Sequence, residues 1–424
     1  MNHNKSEEPQ KQSIYRMEIV KQMTEEQKDF LELIGAYLRR EPYEPTHKVS
    51  WNRMAYYAGI HNCRGVLYYM AKKFPQDCQP EPVMMSAMKQ WYLNNLVMNQ
   101  VRESCMQEIF GAFHENGIPF CVFKGFVTRS YYPIPEMREM SDVDGAVAPE
   151  HLHKAHQVMV QLGAEAGDEK GYEWTYVRNG IRIEVHSNLF PENTWNDVDY
   201  GKYFENAMDY TVDTGKGYLE LKPEYHFVFL MAHMAKHFYT GGTGVHMVTD
   251  VAVFLQQFDA SMDWDWIWKE LKTLRLEVLA RSIIQLCSQW FGIGSVTVSE
   301  SMEESLYEEL SDRILESGIF GYASEEREAR RLRKGIESDE KVGLMVSIRA
   351  LIRNLFPDRR FMCRYLEALK TRPYLLPVAW VKRWVVVLRT RRFEIKGALK
   401  AIFTDSEEAS KQYKLLKKLG MYKK

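Results

Sequence analysis

Apolar residues recur at three- and four-residue steps through most of the first 116 positions, which predicts helices. One stretch runs from Glu25 to Arg40. A second spans Trp51 to Lys73, with Met54, Ala55, Ala58, Val66, Leu67 and Met70 on one face. A third runs from about Val83 to His114, where Leu93, Leu96, Val97, Val101, Met106, Ile109, Phe110 and Phe113 keep the period. The pattern changes at Gly117. Ile118 to Phe123 is a short apolar run that reads as a buried strand, ended by Lys124-Gly125. A short helix, Phe126 to Tyr132, stops at Pro133. A loop from Ile134 to Ser141 leads into a second strand, Asp142 to Ala148. Pro149 suits the first position of a helix that runs to Leu162, with Gly163 as its cap. Two alternating strands follow, Glu173 to Val177 and Ile181 to Leu189, joined by Arg178-Asn179-Gly180, and Asn-Gly is a strong hairpin signal. From Pro223 the helical period returns. The pattern therefore predicts a small mixed sheet, about residues 118–190, between helical segments.

Composition narrows the class. The 424 residues are 45% hydrophobic and 13% aromatic, enough for a substantial core and against a disordered chain. The six cysteines are scattered without a C-x-x-C pair, which argues against a disulfide framework or zinc ribbon and suits a reducing, cytoplasmic setting. The first dozen residues, MNHNKSEEPQKQ, are polar, read as a disordered tail and lack the apolar core of a signal peptide. No apolar run reaches the ~18–20 residues of a transmembrane helix. The nearest, Pro373 to Leu388, is interrupted by two prolines and Lys382-Arg383. It reads as a buried helix with a basic edge, a surface-lying helix being the alternative.

Near-neutral overall charge conceals an asymmetry. Residues 341–424 hold 21 Lys+Arg and 6 Asp+Glu, a balance of +15, and the remainder, with 35 basic and 51 acidic residues, carries −16. The basic segment either rests on the acidic body or forms a landing surface for RNA or another polyanion.

Ser141-Asp142-Val143-Asp144 carries the most chemistry. Two aspartates one residue apart on a strand point to the same face, with Cβ atoms ~6–7 Å apart. Carboxylates so spaced can grip a pair of divalent cations, and hard oxygen ligands select Mg²⁺ or Mn²⁺. Alternation in Ile181-Arg182-Ile183-Glu184-Val185-His186 sets Arg182, Glu184 and His186 on one face. If that strand pairs with the Asp-Val-Asp strand, Glu184 completes a three-carboxylate cluster that binds metal or accepts a proton.

Phe123-Lys124-Gly125, Tyr131-Tyr132-Pro133, Arg138, Ser141-Asp142-Val143-Asp144 and Ile183-Glu184-Val185-His186 together resemble the uncharacterised nucleotidyltransferase family of the polymerase-β-like superfamily. Segments around Trp51, His233, His237, Asp250 and Leu355-Phe356-Pro357 also look family-like. The resemblance implies an α+β fold, a small mixed-sheet nucleotidyltransferase core flanked by N- and C-terminal helical segments. It implies an enzyme that moves an NMP group from a nucleoside triphosphate, such as ATP, to an acceptor hydroxyl of unknown identity. Asp142, Asp144 and Glu184 match the metal-binding and catalytic acids, for two Mg²⁺ or Mn²⁺ ions. Lys124-Gly125 stands where the wider superfamily has Gly-Ser, so the serine hydroxyl is missing. Gly125 at a helix start, Lys124 and Arg138 are candidate phosphate contacts in its place. The plain alternatives are a solvated lysine and an arginine that braces the loop or holds Asp142.

The expected organisation is a helical segment 1–116, a nucleotidyltransferase core 117–220, a helical domain 221–340 lining the cleft, and the basic helical segment 341–424. His186 reads as a substrate contact, a support for the carboxylates or a plain strand residue. His237 and Asp250, with Lys236, line the acceptor side or form a buried polar network. His233, His237 and Asp250 as a metal-hydrolase triad form a weaker option, lacking a further ligand. The rival reading of the whole chain is a non-catalytic module that keeps the fold and docks a polyanion through the basic segment.

Overall fold

The computed structural model describes residues 23–191, 198–240, 242–298, 302–318, 352–353, 355–363, 366–390 and 406–422. The polar N-terminal tail and much of the basic segment 341–424 fall outside these residues.

Helix α1 (Glu25–Arg39) starts at a reciprocal cap. Thr24 Oγ1 accepts from the Gln27 amide at 3.3 Å, and Gln27 Oε1 accepts from the Thr24 amide at 2.9 Å. The expected helix over 51–73 is two, α2 (Trp51–Ile60) and α3 (Arg64–Ala71), because Asn62 takes a left-handed φ of 56° that no helix accommodates. Helix α4 (Pro82–Glu115) opens on proline, whose missing amide costs nothing there. Its buried positions Cys105, Met106, Ile109, Phe110 and Phe113 recur at helical spacing and lie against the sheet.

Among the described residues the sheet has seven strands, three more than the four that the apolar pattern predicts. β1 (Cys121–Phe123), β2 (Asp142–Ala146), β3 (Glu165–Lys170), β4 (Glu173–Arg178), β5 (Ile181–His186), β6 (Thr211–Asp213) and β7 (Leu219–Leu221) lie in the order β3-β4-β5-β2-β1-β7-β6. β2 runs parallel to β5, and β1 parallel to β7; the other neighbours are antiparallel. The hairpin turn Asn179-Gly180 has φ of 51° and 75°, the paired left-handed values the Asn-Gly signal implies. Between β1 and β2 lie α5 (Gly125–Thr128) and two short 3₁₀ turns, and α6 (Leu152–Gln161) follows β2.

Strand alternation separates two cores. Val122, Val143, Ile181, Ile183 and Val185 pack under the sheet with α4 and α6. Cys121, Phe123 and Ala146 face a larger helical core that contains α8 (Pro223–Thr240), α9 (Val245–Phe258), α10 (Trp264–Thr273) and α11 (Glu277–Phe291), counting the short turn Tyr200–Tyr203 as α7. At Gly145 the packing is closest: a Cβ there would lie only 2.0 Å from Cζ of the Phe120 ring. The tryptophans of α10 are half-buried against the core, with Trp264 stacked on Trp268 at 5.6 Å. Among the described residues no helix is long and apolar enough to cross a membrane.

Candidate active site

The loop from Tyr132 to Ser141 delivers the chain into β2, and helices on several sides hold it. From α1, the Tyr37 hydroxyl donates to Ile134 O at 3.2 Å. Glu139 accepts from the Gly65 amide of α3 at 3.0 Å. From α4, Asn99 donates to Glu136 O at 3.1 Å and Arg102 to Met140 O at 2.8 Å. Arg138 does not reach Asp142. Its fork closes on Asp250 of α9, Nε to Oδ1 at 2.8 Å and Nη2 to Oδ2 at 2.7 Å, and the Tyr132 hydroxyl donates to the same carboxylate at 2.7 Å. Arg138 thus ties the loop to α9, with Asp250 as its buried partner.

Parallel pairing of β2 with β5 sets Asp142 opposite Arg182, Asp144 opposite Glu184 and Ala146 opposite His186. Side chains at these positions point to the face away from Val143, Ile183 and Val185, toward the helical side. Asp144 Oδ1 receives the Lys124 ammonium at 2.5 Å and His186 Nε2 at 3.1 Å. The carboxylate can only accept, so the ring proton lies on Nε2, and buried Nδ1 has no hydrogen-bond partner. Glu184 lies 3.7 Å from the same His186 nitrogen, while Arg182 holds Oε1 at 2.8–2.9 Å. Ligand atoms of Asp144, Glu184 and His186 all fall within 4.8 Å of one another. Asp142 stands at the open, half-buried end of the strand, its carboxylate accepting from Ser141 Oγ at 3.3 Å.

The charges are unevenly balanced. Burial pushes Asp144 up, but the Lys124 charge and the His186 hydrogen bond outweigh it and hold it well below the usual carboxylate range. Glu184 is pushed up to about 7 by burial and by the nearby Asp144 charge. Asp142 is raised by the same two causes. Burial lowers His186, keeping its ring neutral.

Lys124 and Gly125 are placed differently from the simplest expectation. α5 has only four residues, too short for a strong helix dipole. Lys124 has φ 57° and ψ −140°, backbone space normally left to glycine. Opposite this strand end, α8 brings a basic face over the site. Phe123 touches both His186 and Phe229 edge-on, at 5.5 and 5.2 Å, and His233 stacks on Phe229 at 6.0 Å. His233 Nε2 and His237 Nε2 lie 3.1 Å apart. Asp250, engaged by Arg138, is not part of that group, so His233, His237 and Asp250 do not converge as a ligand triad. The Tyr132–Asp250–Arg138 tie carries no local signature, because its members are 112 and 118 residues apart.

A family model described as "Uncharacterised nucleotidyltransferase" matches residues 47–292, more than half of the chain. The chain belongs to this nucleotidyltransferase family. The matched range takes in α2, then α3 and α4, which hold the loop, the whole sheet, and α8 and α9. Among solved structures, the antibiotic-resistance factor ANT(2'')-Ia is similar over 42% of this chain and 92% of its own, at 13% identity and a TM-score of 0.32. No curated protein matches the chain. As a nucleotidyltransferase, the protein acts on a nucleotide substrate, and its fold is a mixed sheet flanked by helices.

Proposed function

We propose that the family's chemistry resides at Asp142, Asp144 and Glu184, and that the protein moves an NMP group from a nucleoside triphosphate to an acceptor hydroxyl with the aid of divalent metal. The observation that carries this is the parallel register of β2 and β5, which sets Asp144 beside Glu184 with Asp142 on the same face. The donor set fits a divalent cation. Ligand atoms of Asp144, Glu184 and His186 lie within 4.8 Å of one another, Asp142 follows on the same strand face, and burial with the Asp144 charge raises Glu184, a cost that a bound cation would relieve. Asp142, Asp144 and Glu184 would hold Mg²⁺ or Mn²⁺, two ions in all, with the His186 ring braced against Asp144. Bound metal would supply charge neutralisation at the phosphate oxygens and acidify the acceptor hydroxyl.

The rest falls to the chain. The acceptor oxygen attacks the α-phosphorus, the α–β bridging P–O bond breaks, and pyrophosphate leaves with the bonding pair. Glu184, beside Asp144 on the neighbouring strand, is the group placed to take the acceptor proton. His186 fixes the Asp144 carboxylate by its Nε2–H bond. The helical wall of α8 and the clamped loop exclude water and hold the reactants in line. The unit 117–220 supplies the acids, and the helical segment after 221 supplies the facing wall.

Turnover of labelled NTPs with Mg²⁺ or Mn²⁺ tests this reading. Asp142→Asn and Asp144→Asn should each abolish transfer while leaving the circular dichroism spectrum unchanged; wild-type turnover in both would end the proposal. The rival, a non-catalytic module docking a polyanion through residues 341–424, requires steeply salt-sensitive RNA binding and no turnover.

A further inference from the structure

We propose that the polyphosphate tail of the nucleotide is gripped between two lysines on opposite walls of the cleft, Lys124 at the end of β1 and Lys236 on α8. The inference rests on the nucleotidyltransferase reading and deepens it: phosphate recognition here is by paired ammonium groups in place of a glycine–serine cradle. Three observations lead to it.

First, the hydroxyl of a cradle is missing at Gly125, and α5 offers only four residues of helix. Phosphate charge must then be met by side chains. Second, Lys124 occupies a backbone conformation suited to glycine, φ 57°, and is held there by burial and by Asp144. A lysine kept in strained geometry at the mouth of a site is a placed cation.

Third, Lys236 shares a helix face with His233 and Phe229, and Phe229 contacts Phe123, the residue before Lys124. Its side chain is largely enclosed, yet its ammonium makes no ion pair or hydrogen bond among the described residues. Burial and the Lys124 charge both lower its proton affinity, while Glu173, Asp144 and Glu184 act on it from across the cleft. Lys236 thus lies on the helix face that packs against the strand end carrying Lys124, and its ammonium has no partner at contact distance among the described residues. A polyphosphate between them removes their mutual repulsion and completes both coordination shells. His233 and His237, kept neutral by burial, add ring N–H groups on the same wall.

The test uses inorganic tripolyphosphate as probe, with the full chain and no metal, followed by calorimetry. Wild type should bind it, and Lys236→Met should weaken binding by about ten- to a hundred-fold. Lys236→Arg should retain most of the affinity, showing that charge and not folding is responsible. Tripolyphosphate should also shield Lys236 from acetylation, read by mass spectrometry. Mn²⁺ binding to Lys236→Met should be unchanged or tighter, since a like charge has been removed. Wild type that ignores tripolyphosphate, or Lys236→Met that binds it normally, overturns the inference. The two readings fail separately. Tripolyphosphate binding that depends on Lys236, without NMP transfer, upholds the grip and sinks the activity. Transfer with an unchanged KM for NTP in Lys236→Met sinks the grip and leaves the activity standing.

Discussion

Arg138→Met tests whether the loop before β2 is held from α9. Arg138 and Asp250 are both buried, with side chains about a tenth exposed or less (10% and 8%), and the contact is bidentate. Removing the arginine leaves Asp250 with the Tyr132 hydroxyl alone, an uncompensated charge in the interior. Breaking one partner of such a pair costs about 3–5 kcal/mol, whereas replacing both by apolar groups costs far less. Arg138→Met and Asp250→Leu should therefore each destabilise by about 3–5 kcal/mol. The double variant should be no worse than either single, a coupling of at least about 3 kcal/mol. Arg138→Lys, a point charge without a fork, should fall between wild type and Arg138→Met. Urea unfolding followed by circular dichroism measures these values, provided the slope stays constant across the set. Single variants within about 1 kcal/mol of wild type, or strict additivity in the double, would refute the brace.

Three further outcomes follow. Glu184 carries a folded pKa near 7 against 4.5 for an ordinary glutamate, so the folded, metal-free protein holds that proton more tightly. Its contribution to stability is full below the ordinary value and is lost as pH rises to about 7, and Mn²⁺ affinity should climb over the same window and flatten above it; a pH-independent Mn²⁺ affinity from 5 to 8 would contradict this. Gly145→Ala forces the buried Phe120 ring aside and should cost about 1–3 kcal/mol, partly recovered by adding Phe120→Leu; thermal melts that show no loss would mean β2 is looser than its packing indicates. Asp144→Asn removes the partner of the Lys124 ammonium, so Lys124 should become more reactive to acetylation in the folded protein; equal modification of wild type and variant would show that the ion pair does not shield it.

Part of the candidate site is legible in the sequence. Period-two alternation is a local property, so the common face of Asp142 and Asp144, and of Arg182, Glu184 and His186, follows from backbone geometry. The Asn-Gly turn likewise dictates its hairpin through the left-handed backbone it permits. Where pattern was weak, strands went unseen: β6 and β7 are three residues each, and β3 is a polar run, Glu165 to Lys170, at the sheet edge. Such segments are recruited by the ladder of their neighbours and not by their own apolar period.

Local chemistry thus determined which side chains share a face, where the helices and the main turn fall, and that a strand carries two acids spaced for a cation. Only tertiary structure decided their partners. Glu184 meets Asp144 because β5 lies parallel beside β2. Arg138 forks onto Asp250 because α9 packs against the loop. Lys124 folds onto Asp144 because β1 pairs with β2 and takes a glycine-like bend at its end. Each of these contacts joins positions from 20 to 112 residues apart. At that range hydrogen bonding and charge are specified by packing, and sequence periodicity carries no record of it.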